Sequence, residues 1–184
     1  MSGMSTVVAP PMRILAVALW VVAVVLVPLG LLTGGSPWLT PVPSLFIALV
    51  AWAVLWRPRL VVTDESLTIV DVRRTSTYPW RRVQEVRAKY GVEVVSSEGV
   101  RRTWLATRPT ARLALHTGSG AARRSVSVAE LAAQLREHVP APVDRDGPPP
   151  ATVVAAPIRH RAHGWSVTAM IVLGVAASMA AAQR

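Results

Sequence analysis

From Ile14 to Leu32 the chain runs ILAVALWVVAVVLVPLGLL without a single charge. As an α-helix this run reaches about 28 Å, close to a bilayer hydrocarbon core of about 30 Å. A secretory signal would carry a shorter apolar region, usually about 7–15 residues. This one starts from a lone Arg13, and a second greasy run follows soon after it. The stretch 14–32 is therefore expected to be a retained transmembrane helix, with Pro28 and Gly30 loosening its last turn. Residues 1–13 before it, with Pro10-Pro11, are expected to be disordered.

Two further apolar runs follow. Thr33 to Pro43 (TGGSPWLTPVP) holds turn-formers and no charge, and connects helices. Ser44 to Trp56 alone reaches only about 20 Å as a helix. Counted from Trp38 it spans, so 38–56 is the second expected transmembrane helix, a re-entrant hairpin being the alternative. Trp165 to Ala182 (WSVTAMIVLGVAASMAAA) is the third. Within it Gly174, Ser178 and Ala182 recur every fourth residue, a small-residue ridge that lets membrane helices approach closely.

Between the second and third runs, 57–139 has the pattern of a soluble domain. Leu60–Thr63 and Leu67–Val72 flank the turn Asp64-Glu65-Ser66, and Thr75–Trp80 follows the turn Arg73-Arg74. Val83–Tyr90 fits a strand or a helical turn. Val92–Ser96 and Arg102–Ala106 flank SSEGV, a hairpin signal; Ala111–His116 and Arg123–Val126 flank TGSGAA, another. The period then changes. Ser127 can cap a helix through His138 with Glu130 as its capping-box partner, and Val128, Leu131 and Leu135 line one face. Residues 140–157 are proline-rich and aperiodic, a linker that is partly polyproline II.

The formal charge is +10, from 20 basic and 10 acidic residues, and Lys89 is the only lysine. Some of that arginine is attributable to a GC-rich genome. Arg57, Arg59, Arg159 and Arg161 flank the soluble domain, with Trp56 and Trp165 beside them as interfacial aromatics, whereas Thr33–Pro43 carries no basic residue. The positive-inside rule then places the N-terminus and the domain in the cytoplasm and the C-terminus outside the plasma membrane. The chain has no cysteine, which removes disulfides and thiolate chemistry.

The hairpin RLVVTDESLTIVD, the basic turn VRRT and the segment YPWRRVQEVR resemble a bacterial pleckstrin-homology-like domain of the type found in small actinobacterial membrane proteins. In that family a Pro-Trp pair precedes a strand with spaced valines, here Pro79, Trp80, Val83 and Val86. The likeness covers roughly Arg57 to His138. It implies a partly open barrel capped by one C-terminal helix; with the three transmembrane helices expected from the apolar runs, the fold class is an α+β membrane protein. It also implies binding rather than catalysis. Phosphoinositide-binding relatives carry basic residues at the first hairpin turn; here that turn is Thr63-Asp64-Glu65-Ser66, which is acidic, so direct transfer of that activity is doubtful.

The sequence carries no catalytic constellation. His160 and His163 have metal-ligand spacing, but Arg159 and Arg161 beside them repel a cation. Gly118–Gly120 lacks the Lys-Ser/Thr of a phosphate loop. No charge lies inside the apolar runs. The expectation is a non-enzymatic protein with no metal, no cofactor and no nucleic-acid partner. Its domain binds anionic membrane lipid or a partner protein, with Arg73, Arg74, Trp80, Arg81 and Arg82 as the candidate edge. An accessory subunit of a larger membrane complex, joined through its helices, is the alternative.

Overall fold

The structure is a computed structural model, and it describes residues 4–34, 39–88, 91–103, 105, 111–117, 123–140 and 157–182. The chain divides into two units: Met1–Pro10 with Pro58–Arg161, and Pro11–Arg57 with Ala162–Arg184.

The first unit is sheet-rich. Its strands are β1 (Ser5–Val8), β2 (Arg59–Val62), β3 (Ser66–Val70), β4 (Arg74–Pro79), β5 (Val83–Arg87), β6 (Glu93–Ser96), β7 (Gly99–Arg102), β8 (Arg112–Thr117), β9 (Arg123–Ser127) and β10 (Arg159–Ala162). A seven-stranded sheet has the order β10-β4-β3-β2-β1-β8-β9, and β5-β6-β7 form a three-stranded sheet. Alternation sets the inward faces: Leu60, Leu67, Ile69, Tyr78, Val86, Val94, Leu113 and Val126 are all buried. The helix α3 (Val128–Glu137) buries Val128, Leu131, Ala132 and Leu135. Its capping box is formed: Ser127 Oγ accepts from the Glu130 N–H at 3.1 Å, and Glu130 Oε2 accepts from the Ser127 N–H at 2.7 Å.

One correction concerns the N-terminus. Ser5–Val8 is not disordered. It forms β1, inserted between β2 and β8, with Thr6 opposite both Val61 and His116. The physical reason is burial: Val7 and Val8 are 0% and 2% exposed, so the pair fills the middle of the sheet. A second concerns β7, which begins at Gly99 rather than Arg102, because Gly99 takes φ +107° and closes a tighter turn. A third is β10: Arg159–Ala162 adds an edge strand beside β4. The proposed linker lies outside the described residues except at its ends.

The second unit is helical. α1 (Pro10–Leu32) has 23 residues and mean hydropathy 2.8; it starts at the Pro10-Pro11 pair, which suits a first turn. α2 (Pro41–Val50) has 10 residues and continues as a 6-residue π-helical turn, Ala51–Trp56. α4 (Gly164–Ala182) has 19 residues and mean hydropathy 1.8. Thus, among the described residues, 2 helices, not three, are long and apolar enough to cross a membrane by themselves. The middle one starts later than expected, at Pro41, because Leu39 and Thr40 form a turn; the expected start at Trp38 lies outside the described residues. α2 packs on α4, where a Cβ on Gly174 would meet Phe46 Cε2 at 3.2 Å.

Val7→Ala should cost about 2 kcal/mol in the unfolding of the purified protein, the value of a buried aliphatic group. Val100→Ala, on exposed β7, should change stability by less than about 0.5 kcal/mol. Equal effects at the two sites would remove β1 from the core.

Candidate functional site

Register places the arginines along the sheet. Arg59 lies opposite Val70, and Val70 lies opposite Thr75. The turn Asp71–Arg74 therefore sits at the same end of the strands as Arg59. The turn is closed by the Asp71 N–H donating to the Arg74 carbonyl at 3.0 Å. Val7 pairs with Leu60, so β1 also runs toward this end, and the chain leaves it through Ala9 into α1. Likewise the chain coming from α2 enters β2 here through Arg57 and Pro58. Arg59 and Arg73 are exposed, and Arg74 is half-buried.

Behind this turn lies a pair that sequence reasoning missed. Arg101 Nη2 donates to Asp71 Oδ2 at 2.9 Å, tying β7 to the β3–β4 turn. The Asp71 side chain is only 10% exposed. Burial pushes its carboxyl above the ordinary value, against the opposing pull of Arg101 and Arg74. A second buried carboxylate, Glu93, has Arg102 Nε at 2.9 Å. Both pairs depend on the cross-strand register, and no local motif announces them.

Trp80, Arg81 and Arg82 lie at the opposite end of β4, about 20 Å from Arg74 at strand rise. The candidate edge is thus not one patch. Trp80 is 5% exposed, its Nε1–H donates to the Thr63 carbonyl at 2.8 Å, and its ring lies 5.1 Å from His138. It braces the first hairpin against the end of α3, a core role that desolvation of the indole explains. Arg81 is exposed and Arg82 half-buried, near the acidic turn Asp64-Glu65. Beside them α3 and the sheet enclose a cavity of about 100 Å³, walled by Val62, Leu115, Leu131 and Leu135 with Thr63 and His138. That volume takes a few atoms of an aliphatic group.

Within the helical unit the interfacial residues gather. Trp56 lies 5.2 Å from Trp20, with the Arg13 guanidinium 4.9 Å from the Trp56 ring. Trp52 lies 5.7 Å from Trp165 and 5.4 Å from the Arg57 guanidinium. Arg57 also donates to Ser166 Oγ at 3.4 Å. Of the small-residue ridge, Gly174 faces Phe46, while Ser178 and Ala182 are exposed and Ser178 Oγ donates to the Gly174 carbonyl at 2.9 Å. The ridge is turned partly away from α2 because the buried positions of α4 are Ser166 and Ala180. Arg159 and Arg161 are exposed on β10. Among the described residues, no three His, Asp or Glu side chains gather as a metal site.

A family model described as a bacterial PH domain matches residues 57–163, which is β2 through β10 and more than half of the chain. No curated protein and no solved structure matches.

The raised Asp71 pKa has a definite sign. The folded state holds this proton more tightly than the unfolded chain, so the contribution favours folding at low pH and is lost as pH rises through the folded pKa. The stability of Asp71→Asn minus that of wild type should therefore increase from about pH 4 toward neutrality in denaturant unfolding. A flat or falling difference contradicts it. Arg101→Gln, which strands the carboxylate, should cost about 1–3 kcal/mol near neutral pH.

Proposed function

The chain belongs to the bacterial PH-domain family, and on that premise we propose that it is an integral membrane protein whose PH-like domain rests on an anionic membrane surface. The observation that carries this reading is the coincidence at one end of the sheet. Arg59, Arg73 and Arg74 sit where the chain departs into α1 and where it arrives from α2. A domain tethered there presents that end to the headgroups, where each arginine contributes about 1 kcal/mol near anionic lipid.

The strand order supports the membrane reading in a second way. β1 and β2 are neighbours, so a chain that crosses a bilayer through α1 has to recross it before Arg59. The passage back falls to α2 and its flanks. Its helical residues, Pro41–Trp56, reach about 24 Å, toward the thin end of the hydrocarbon range. The cluster of Trp20, Trp52, Trp56 and Trp165 with Arg13 and Arg57 has the composition of an aromatic belt at a membrane interface. Basic residues around the domain and none in Thr33–Pro43 orient it toward the cytoplasm.

A second reading keeps the same topology and makes the protein an accessory subunit. Exposure of Ser178 and Ala182 on α4 favours it, since small residues on a lipid-facing side allow another helix to approach. Stoichiometric co-purification of a membrane protein, lost on Ser178→Leu, would establish that reading.

The cysteine-free chain makes the topology directly testable. Single cysteines at Thr33 and Asp64 should differ: an impermeant maleimide should label Thr33→Cys on intact cells and Asp64→Cys only after lysis. Labelling of Asp64→Cys on intact cells would overturn the orientation. For the lipid contact, a fluorophore on Val72→Cys in nanodiscs should be shielded from an aqueous quencher when phosphatidylglycerol replaces part of the phosphatidylcholine. The shielding should vanish in Arg73→Ala/Arg74→Ala, a loss of about 2 kcal/mol of attraction. Equal quenching in both lipids would reject the anionic contact.

A further inference from the structure

β10 is an unusual edge strand. All four of its residues, Arg159 to Ala162, are exposed, so no buried apolar side chain anchors it. Besides its ladder with β4, one imidazole fastens it. His160 Nδ1 lies 3.0 Å from Ser76 Oγ on β4. His160 Nε2 lies 2.7 Å from Glu98 Oε2, in the turn between β6 and β7. The ring also meets Tyr78 edge-on, centroids 6.1 Å apart at 74°. Ser76 and Tyr78 are 1% and 2% exposed, so the β4 side of this contact is fixed by the core. The Glu98 side is fixed by its turn: Ser96 Oγ accepts from the Glu98 N–H and donates to the Gly99 carbonyl, both at 3.3 Å.

We propose that His160 is an acid-strengthened latch that fastens β10 to the edge of β4 and ties the seven-stranded sheet to the β6–β7 turn. A neutral imidazole can serve both partners, donating from Nε2 to Glu98 and accepting at Nδ1 from the Ser76 hydroxyl. Protonation turns both nitrogens into donors and adds a cation facing a carboxylate at hydrogen-bond distance, which shortens and strengthens such bonds. Imidazole is the side chain whose charge changes between about pH 5 and pH 8. Glu98 from the β6–β7 turn and Tyr78 from β4 are the titratable groups on the ring among the described residues; Ser76 is the polar one. Arg159 and Arg161, on its own strand, alternate to the opposite face. The contact is thus made by the neutral ring and is stronger for a protonated ring facing the Glu98 carboxylate.

Hydrogen exchange at the β10 amides tests this in the full-length protein in mild detergent, after correction for the intrinsic rate. Protection of residues 160–162 should be roughly threefold or more higher near pH 6 than near pH 8. Glu98→Gln keeps an acceptor for the imidazole and removes the charge. It should lower protection modestly near pH 8, because a neutral amide accepts a weaker bond than a carboxylate, and bring the ratio to about one, with β3 amides serving as the internal control for intact fold. A wild-type ratio of one would overturn the proposal, and so would a Glu98→Gln ratio equal to that of wild type.

Discussion

The placement of Ser5–Val8 between β2 and β8 is the constraint on which the rest depends. Remove β1 and the seven-stranded sheet loses its continuity, since β2 and β8 both pair with β1 and not with each other. Its register is set twice, by Val7 against Leu60 and by Val7 against Leu115. One residue, Ala9, separates this strand from α1, and two, Arg57 and Pro58, separate the helical segment ending at Trp56 from β2. The apolar segment 10–56 is therefore spliced into the chain between two neighbouring strands of the sheet. The domain is assembled from three stretches of chain, 5–8, 59–137 and 159–162, rather than one.

That splice gives the domain a polarity along its strands. One end carries Arg59, Arg73 and Arg74 over the buried Asp71–Arg101 pair, and it is the end at which the chain passes to and from the apolar helices. The other carries the acidic turn Asp64-Glu65, the braced Trp80 and the small apolar cavity beside α3. Superfamily members that bind phosphoinositides use basic residues at the first hairpin turn. Here the basic residues lie at the opposite end of that hairpin.

What the sequence made legible was whatever had a local physical signature. The capping box at Ser127 and Glu130, the alternation in β2 and β3, and the strand character of β8 and β9 could each be read from a few neighbouring residues. β1 escaped because STVV is four residues long and abuts Pro10-Pro11; its burial comes from strands fifty and a hundred residues away. β10 escaped because RHRA has no apolar alternation, as befits a solvated edge. Trp80 looked like a functional aromatic because a solvent-facing and a core indole have the same sequence; only the bond to Thr63 distinguishes them. The basic candidates were one cluster in sequence and two in space, because β4 lies between them.

The central claim is that the N-terminal segment is a strand of the domain. The protein has no native cysteine, so a disulfide can report it cleanly. Thr6 faces Val61 across the antiparallel pair, where Cα atoms are about 4.5–5.5 Å apart, within disulfide reach. Thr68 lies one strand further, about 10 Å away and out of reach. Mild oxidation of the full-length protein should close Thr6→Cys/Val61→Cys nearly completely and leave Thr6→Cys/Thr68→Cys reduced. Failure of the first pair to close, or equal closure of both, would contradict the account.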